Sequence, residues 1–229
     1  VDADRLSEEL GRGGLRAVYH GRGRRAALKE LTRTYQNLVE DSTRVMLRLK
    51  ALFRAEVLGA ELDVLRALRP KAKAAMVAEA RRDPAWELLQ TIAFFGPVRV
   101  ALLLATMQTP WRFRTKRNLW AYAGLAVVSR SSADYQWVAG RPVRRRRAPL
   151  TRGLNPNHNR VLKDVFKGAA TAATARPGPL QDFYRAMIAR GMREDLARVT
   201  LARKLAAITL RLWKKGERYD PTQLTMQAP

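Results

Sequence analysis

The apolar residues between Leu28 and Leu52 recur at alternating steps of three and four, which places them on one stripe of a helix. This spacing is typical of a coiled coil or a long helical hairpin. Val39, Met46 and Phe53 widen the stripe, as they would in an amphipathic helix packed on its own domain. The positions of the stripe are Leu28, Leu31, Tyr35, Leu38, Ser42, Val45, Leu49 and Leu52.

The polar member of this stripe, Ser42, indicates a register-setting position that costs some stability. We expect the stripe to continue in a second helix from Glu61 to Arg82, which Asp83 and Pro84 close. The sequence therefore predicts coiled-coil helices over residues 21–84.

The charge of the chain indicates its class of partner. The 229 residues carry 44 Lys and Arg against 20 Asp and Glu, a formal net charge of +24, while 47% of them are apolar. So much apolar sequence folds around a core, and so much charge repels itself unless a polyanion is bound. Nucleic acid is the first expectation and an anionic membrane surface the second. Because the chain has no cysteine, disulfides, thiol nucleophiles and thiolate metal sites are excluded.

The longest clean apolar run, from Val100 to Met107, is far shorter than the roughly 20 residues of a membrane span. The first residues also lack the pattern of a secretory signal. We therefore expect a cytoplasmic, nucleoid-associated protein with no membrane partner.

The rest of the chain alternates predicted helices with one region of short strands. A helix over 2–10 and a strand over 15–19 come first, and a short hairpin is expected between Val127 and Asn159. In the last helix, Leu196, Val199, Leu205, Ile208 and Leu212 are expected to pack, with Arg198, Arg203 and Arg211 outward. The helices predicted after the coiled coil are Trp86–Phe94, Val98–Met107, Lys116–Tyr122, Arg160–Ala175, Leu180–Gly191 and Glu194–Lys215.

Few residues can supply catalysis. His20 and His158 lie far apart in the sequence and are expected to be solvated loop residues, so neither a histidine metal pair nor a Ser-His-Asp triad is supported. The remaining hydroxyl, carboxylate and cationic side chains suit phosphoryl transfer, in which the protein positions a nucleophile and neutralises charge.

The segment from Thr91 to Val98 resembles the turn of a helix-hairpin-helix. Such a turn directs backbone N–H groups at a nucleic-acid phosphate, and Gly96 and Pro97 would lie at that contact. The alternative is an ordinary connection between two helices.

Two serines lie close to a run of arginines. A hydroxyl nucleophile needs a base, a metal or nearby cations, and Arg130 and the later arginines could provide the cations. In the alternative, Ser131 and Ser132 cap a turn and the arginines only hold a nucleic-acid backbone. Backbone contacts are expected from Arg130, Arg141, Arg144, Arg145, Arg146, Arg147, Thr151, Arg152 and Lys163.

An ordered series of short motifs carries a family resemblance. It comprises Asp2-Ala3-x-x-Leu6, Leu15-Arg16-x-Val18-Tyr19, Ile92-x-x-x-Gly96-Pro97-Val98, Phe113-Arg114, Ala121-Tyr122-Ala123-Gly124-Leu125, Ser131-Ser132, Thr151-Arg152-Gly153, Asn159-Arg160-x-Leu162-Lys163, Ala202-Arg203-Lys204-Leu205 and Gly216-Glu217-x-Tyr219-Asp220-Pro221. In this order the motifs resemble the insertion-sequence 110/116/902 family of transposases over nearly the whole chain.

The resemblance implies a DNA recombinase with a RuvC-like α/β domain of four acidic residues, a coiled coil and a C-terminal serine domain. Family members also use a structured guide RNA that pairs with donor and target DNA. The expected fold is therefore mainly α, with a RuvC-like remnant over 1–20, coiled-coil helices over 21–84 and a transposase domain with a short β-hairpin over 85–229. A homodimer, or a pair of dimers, would bring two duplexes together.

The resemblance also assigns roles to individual residues. Asp2 falls on the last of the four acidic positions and would bind Mg²⁺. Ser132 falls on the nucleophile, with Ser131 as the alternative register. The nucleophile would attack a DNA phosphate, and a second strand's hydroxyl would resolve the phosphoserine link.

The sequence departs from the family pattern at several points. Ala133 and Phe94 stand where glycines are expected, and the stretch from Gly153 to Asn159 is longer than in many members. The other three acidic residues would lie before Val1, so we expect a truncated enzyme that binds nucleic acid but does not recombine DNA alone. The alternatives are a site-specific DNA invertase of the same family and a non-enzymatic, dimeric RNA- or DNA-binding protein.

Overall fold

A computed structural model describes residues 24–52, 55–130, 135–144 and 150–221, and its fold is mainly α, as predicted. The helices are α1 (Arg24–Leu52), α2 (Ala55–Ala80), α3 (Trp86–Gln90), α4 (Pro97–Met107), α5 (Lys116–Tyr122), α6 (Arg160–Thr174), α7 (Pro179–Ala189) and α8 (Glu194–Lys215). The strands are β1 (Val127–Arg130), β2 (Tyr135–Val138), β3 (Arg141–Arg144) and β4 (Leu150–Leu154). A 3₁₀ turn spans Pro110–Arg112. The predicted remnant over 1–20 lies outside the described residues.

Helices α1 and α2 pack against each other along their length. The predicted stripe faces this contact, where Leu28, Ser42 and Val45 are buried. The Ser42 hydroxyl donates to the carbonyl of Leu38 one turn earlier, at 2.6 Å, which pairs the buried polar group. Helix α2 begins at Ala55, before the predicted Glu61.

One end of this helical pair, formed by the start of α1 and the end of α2, packs into the core of the helices that follow. Leu28 of α1 and Met76 and Ala80 of α2 lie in one cluster with the buried residues of α4, α6 and α8. Nearby, Arg25 and Asp83 form an ion pair at 3.5 Å, in which the carboxylate is only 9% exposed. The two helices are therefore packed into the domain that follows them.

Three helices build most of the core. Helix α6 buries one face at helical spacing, while α4 is buried nearly all round and packs between α6 and the paired helices. Helix α8 ends at Gly216, whose left-handed φ of 70° suits a glycine. The buried face of α6 comprises Leu162, Val165, Phe166, Ala169, Ala170 and Ala173.

The packing of α8 differs from the expectation at two residues. Leu196 was expected in the core, but it is 53% exposed because it lies in the first turn, before the helix reaches its neighbours. Arg203 was expected to point outward, but it is half-buried and its Nε donates to the carbonyl of Leu125 at 2.5 Å. Arg198 and Arg211 are exposed, and Leu205 and Leu212 are buried, as predicted.

The strands form two short antiparallel ladders, where a single hairpin was predicted. Strand β1 pairs with β4, Val127 opposite Leu154 and Arg130 opposite Leu150. Strand β2 pairs with β3 through a two-residue turn at Ala139 and Gly140, whose φ angles of 50° and 73° match the twist of a hairpin.

Among the residues that the structure describes, no helix is both long and apolar enough to cross a membrane.

The segment after α8 returns to the core through Tyr219. Its backbone N–H donates to the Thr91 hydroxyl at 3.0 Å, and its ring packs against the core. Burial, with Asp220 beside it, raises the pKa of Tyr219 to about 12. The phenol therefore stays protonated in the folded chain at a pH where an unfolded tyrosine, with a pKa of about 10, has ionised.

We expect Tyr219 to make stability fall with alkaline pH. A raised pKa in the folded state gives stability that is complete below about pH 10 and is lost as the pH rises through about 12. After allowance for the half-exposed ring, the loss is about 1–2 kcal/mol. Urea unfolding of the wild type and Tyr219→Phe between these pH values measures it. The wild type should lose this amount of stability relative to Tyr219→Phe across the range, and a difference that stays constant would contradict the assignment.

Candidate nucleic-acid interface

The turn between α3 and α4 contains one residue with a left-handed backbone conformation. Helix α3 ends at Gln90, before the predicted Phe94, and Phe94 itself adopts a left-handed φ of 68° that a helix does not contain. This is the position where the family pattern has glycine, and a side chain there is strained by about 1 kcal/mol. The Arg99 guanidinium donates to the carbonyl of Phe94 at 2.8 Å and holds the turn closed.

Gly96 lies directly before α4 and is exposed. Its φ of −70° is open to any residue, and an added Cβ would have no atom within 4 Å. The fold therefore has no need of a glycine here. The exposed Pro97 then opens the helix, as its fixed φ favours.

Arg99 lies half-buried between this turn and α6. Its guanidinium is 3.2 Å from the position that a Cβ on Gly168 would occupy, so the glycine makes room for it. Burial lowers the pKa of Arg99. This arginine supports the turn, and sequence patterning did not identify it.

The Tyr122 to Leu125 segment forms the base from which β1 leaves the helical core. Gly124 has a φ of 64°, and the His158 side chain packs directly on it. His158 is thus half-buried, and not solvated as expected, with its Nδ1 2.7 Å from the carbonyl of Asn155. The backbone N–H of Asn159 donates to the carbonyl of Tyr122 at 2.8 Å and joins the end of the β region to the same base.

Two side chains of the core complete this base. The bond from Arg203 satisfies the carbonyl of Leu125, and the Trp120 indole donates in turn to the carbonyl of Arg203 at 3.0 Å. On the other side, Arg112 donates to the Tyr122 hydroxyl at 3.2 Å and lies over its ring. These contacts join residues far apart in sequence, so periodicity could not reveal them.

Five of the residues that were predicted to bind phosphate lie on the strands. Arg130 ends β1, Arg141 and Arg144 bound β3, and Thr151 and Arg152 lie in β4. Lys163 is half-buried on the first turn of α6, nine residues after the end of β4. Ser131, Ser132, Arg145, Arg146 and Arg147 lie outside the described residues.

A metal site is not formed by the described part of the chain. Across residues 24–52, 55–130, 135–144 and 150–221, no group of three or more histidine or acidic side chains could hold an ion. Asp2 lies outside these ranges, so its expected role stays a prediction.

Comparison with known sequences adds to this geometry. Residues 86–185, which run from α3 into α7, match the transposase IS116/IS110/IS902 family. A 141-residue region is 26% identical to the insertion element IS116 uncharacterized 44.8 kDa protein of Streptomyces clavuligerus, covering 62% of this chain and 32% of that relative. The matched region thus spans about a third of the relative's length. The region that holds the α3–α4 turn and both ladders is therefore similar to the IS116/IS110/IS902 family of transposases.

Proposed function

We propose that this chain contributes a serine nucleophile and a phosphate-binding surface to an insertion-sequence transposase that joins DNA strands under the direction of a guide RNA. One observation carries the proposal most directly. The two ladders of the family domain flank both the serine segment and the arginine run.

The pairing of the strands limits how far these segments lie apart. Residues 131–134 lead from Arg130 to Tyr135, and residues 145–149 lead from Arg144 to Leu150. Arg130 pairs with Leu150, and Tyr135 pairs with Arg144. The residues that flank the serine segment are therefore paired with the residues that flank the arginine run.

This arrangement supports strand cleavage by a hydroxyl. The Ser132 oxygen would attack a DNA phosphorus, the bond from that phosphorus to the leaving strand's oxygen would break, and that oxygen would take up a proton. A hydroxyl of a second strand would then displace the serine oxygen and restore a phosphodiester. Arginine cations stabilise the charge that develops on the phosphate oxygens in both steps.

The turn before α4 supports a separate contact with a nucleic-acid backbone. Gly96 is a glycine that neither φ nor crowding requires, and it lies at an exposed helix start. A residue without a side chain lets a phosphate approach the backbone N–H groups closely. We infer that Gly96 and Pro97 bind a DNA phosphate without reading sequence.

Mg²⁺ would be held by Asp2 and by further acidic residues. Its charge would add to that of the arginines at the phosphate oxygens. Guide-RNA binding and assembly into dimers or pairs of dimers are parts of the same proposal.

Strand transfer by the complete gene product tests the proposal. We expect joined DNA products in the presence of the element's DNA ends, its RNA and Mg²⁺, with a protein–DNA link that survives denaturation. Nucleic-acid binding without any joined product or covalent link would instead support a non-enzymatic binding protein. Inversion without insertion would support an invertase.

Salt dependence measures how many phosphates this chain contacts. We expect the logarithm of its affinity for duplex DNA to fall linearly with the logarithm of salt concentration, because each bound phosphate releases counterions. The variant Arg145→Ala/Arg146→Ala should lower that slope by about two units, since each cation contributes about one. Lys71→Ala/Lys73→Ala, on the exposed side of α2, is the charge-matched control. Equal slopes for the two variants would rule out the arginine run as a phosphate contact.

A further inference from the structure

A groove of about 690 Å³ opens between α5 and α8, on residues that the proposed function leaves unused. Its lining holds one carboxylate, that of Asp220, against six cationic side chains. These are Arg114, Lys116, Arg203, Lys204, Arg211 and Lys214. So strong an excess of positive charge in one concave surface concentrates anions there.

Lys116 and Lys204, two cations of the groove, repel each other. Burial and the neighbouring charge of Lys116 both lower the pKa of Lys204. Arg203 is committed to the fold through the carbonyl of Leu125, while Arg114 and Lys116 are exposed. An anion that entered the groove would therefore relieve repulsion between these cations.

Aromatic rings accompany the lysines. Lys116 Nζ lies 5.7 Å from the centre of the Trp120 ring, and Lys204 Nζ lies 5.5 Å from that of Phe183. Lys214 Nζ lies 5.4 Å from the ring of Trp111, which is beside the groove and 72% exposed. With so much of its surface in solvent, the Trp111 ring offers a free area on which a flat apolar group can stack.

We propose that the groove, with Trp111 beside it, binds a single strand of nucleic acid, DNA and RNA alike, through backbone phosphates and a stacked base. Cations and exposed aromatic rings in one groove are the combination that single strands require, because only an unpaired base presents its face. The inference rests on the proposed nucleic-acid function but concerns a different surface from the ladders.

The two threonines of the lining direct their hydroxyl protons within the chain. Thr115 donates to the Asn118 side chain and Thr200 to the carbonyl of Leu196, both at 2.9 Å. We therefore expect phosphates and base faces to carry recognition. These are common to DNA and RNA, so the 2′-hydroxyl should add little.

Fluorescence anisotropy with the 229-residue chain tests the proposal, using labelled oligo(dT) and oligo(U) of about 15 nucleotides, within the range of known site sizes. We expect Trp111→Ala to weaken oligo(dT) binding about ten-fold, and Trp111→Phe, which keeps a ring, less than about three-fold. The exposed double variant Arg114→Glu/Lys116→Glu should weaken binding by about ten-fold or more, well beyond its charge-matched control Lys71→Glu/Lys73→Glu. Affinities for oligo(dT) and oligo(U) should agree within about three-fold.

A duplex of the same length separates this inference from the proposed function. Its affinity should be unchanged by Trp111→Ala, since paired bases cannot stack on the ring. An equal effect of Trp111→Ala on duplex and single strand, or no effect on either, would overturn the groove as a single-strand site. A ten-fold difference between the affinities for oligo(dT) and oligo(U) would overturn the claim that the groove binds DNA and RNA alike. Failure of the wild type to bind any nucleic acid would instead refute the proposed function.

Discussion

Ser132→Ala is expected to abolish strand transfer by the complete protein, lowering it by more than about 10³-fold, because no oxygen remains to attack the phosphorus. Nucleic-acid binding should stay within about two-fold, since the phosphate contacts come from the arginines and the backbone. The measurement pairs a joining assay with an anisotropy titration on the same preparations. The covalent protein–DNA link should disappear together with the product.

Ser131→Ala is the matched control for this variant. The two serines are adjacent, so both substitutions remove one hydroxyl from the same segment beside Arg130. If Ser132 is the nucleophile, Ser131→Ala keeps most of the joining activity. Loss of joining activity in Ser131→Ala but not in Ser132→Ala would assign the nucleophile to Ser131. Full activity in both variants would show that neither serine is the nucleophile.

Gly124→Ala should be the most damaging small substitution at the base of the β region. The φ of 64° costs an alanine about 1 kcal/mol, and its methyl group would lie 2.7 Å from His158 Cδ2 and 2.8 Å from Cβ. Since His158 is held at Asn155, either the loop or the Tyr122–Leu125 segment has to move. Such overpacking typically costs a further 1–3 kcal/mol, so we expect a total of about 2–4 kcal/mol in urea unfolding.

Two comparisons separate the strain from the clash. Gly216→Ala, with a φ of 70° and nothing within 4 Å of the new Cβ, should cost only about 1 kcal/mol. The double variant Gly124→Ala/His158→Ala should recover part of the loss, because it removes the clashing ring. Equal losses for Gly124→Ala and Gly216→Ala, or no recovery in the double variant, would contradict the contact.

Local sequence signals predicted helices where the chain carries clear end signals. Helices α5 and α8 have the predicted bounds, because Thr115 caps the first and Gly216 ends the second. Helix α2 was predicted too short at its start, since Gly59 lies within it and weakens the helical pattern. Its interior includes Pro70, which also lay within the predicted range, although proline usually interrupts a helix.

The contacts within the candidate site could be predicted from the sequence only in part. The family motifs identified the Tyr122–Leu125 segment, but its partners are set by packing. Trp120 bonds Arg203, and Arg203 bonds Leu125, across more than seventy positions. From sequence alone, an arginine on the polar side of a helix is predicted to be exposed to solvent. No local pattern shows that a carbonyl elsewhere in the chain needs its guanidinium as a hydrogen-bond donor. Tertiary contacts therefore decide this part of the site.

The shared core at the base of the paired helices has a mechanical consequence. Helix α1 extends over 29 residues, about 43 Å at 1.5 Å per residue. Because Leu28, Met76 and Ala80 are embedded beside α4, the two helices cannot swivel at their base without pulling apolar side chains from the core. A force applied at the far end of the two helices would therefore be transmitted to α4 and to the turn before it.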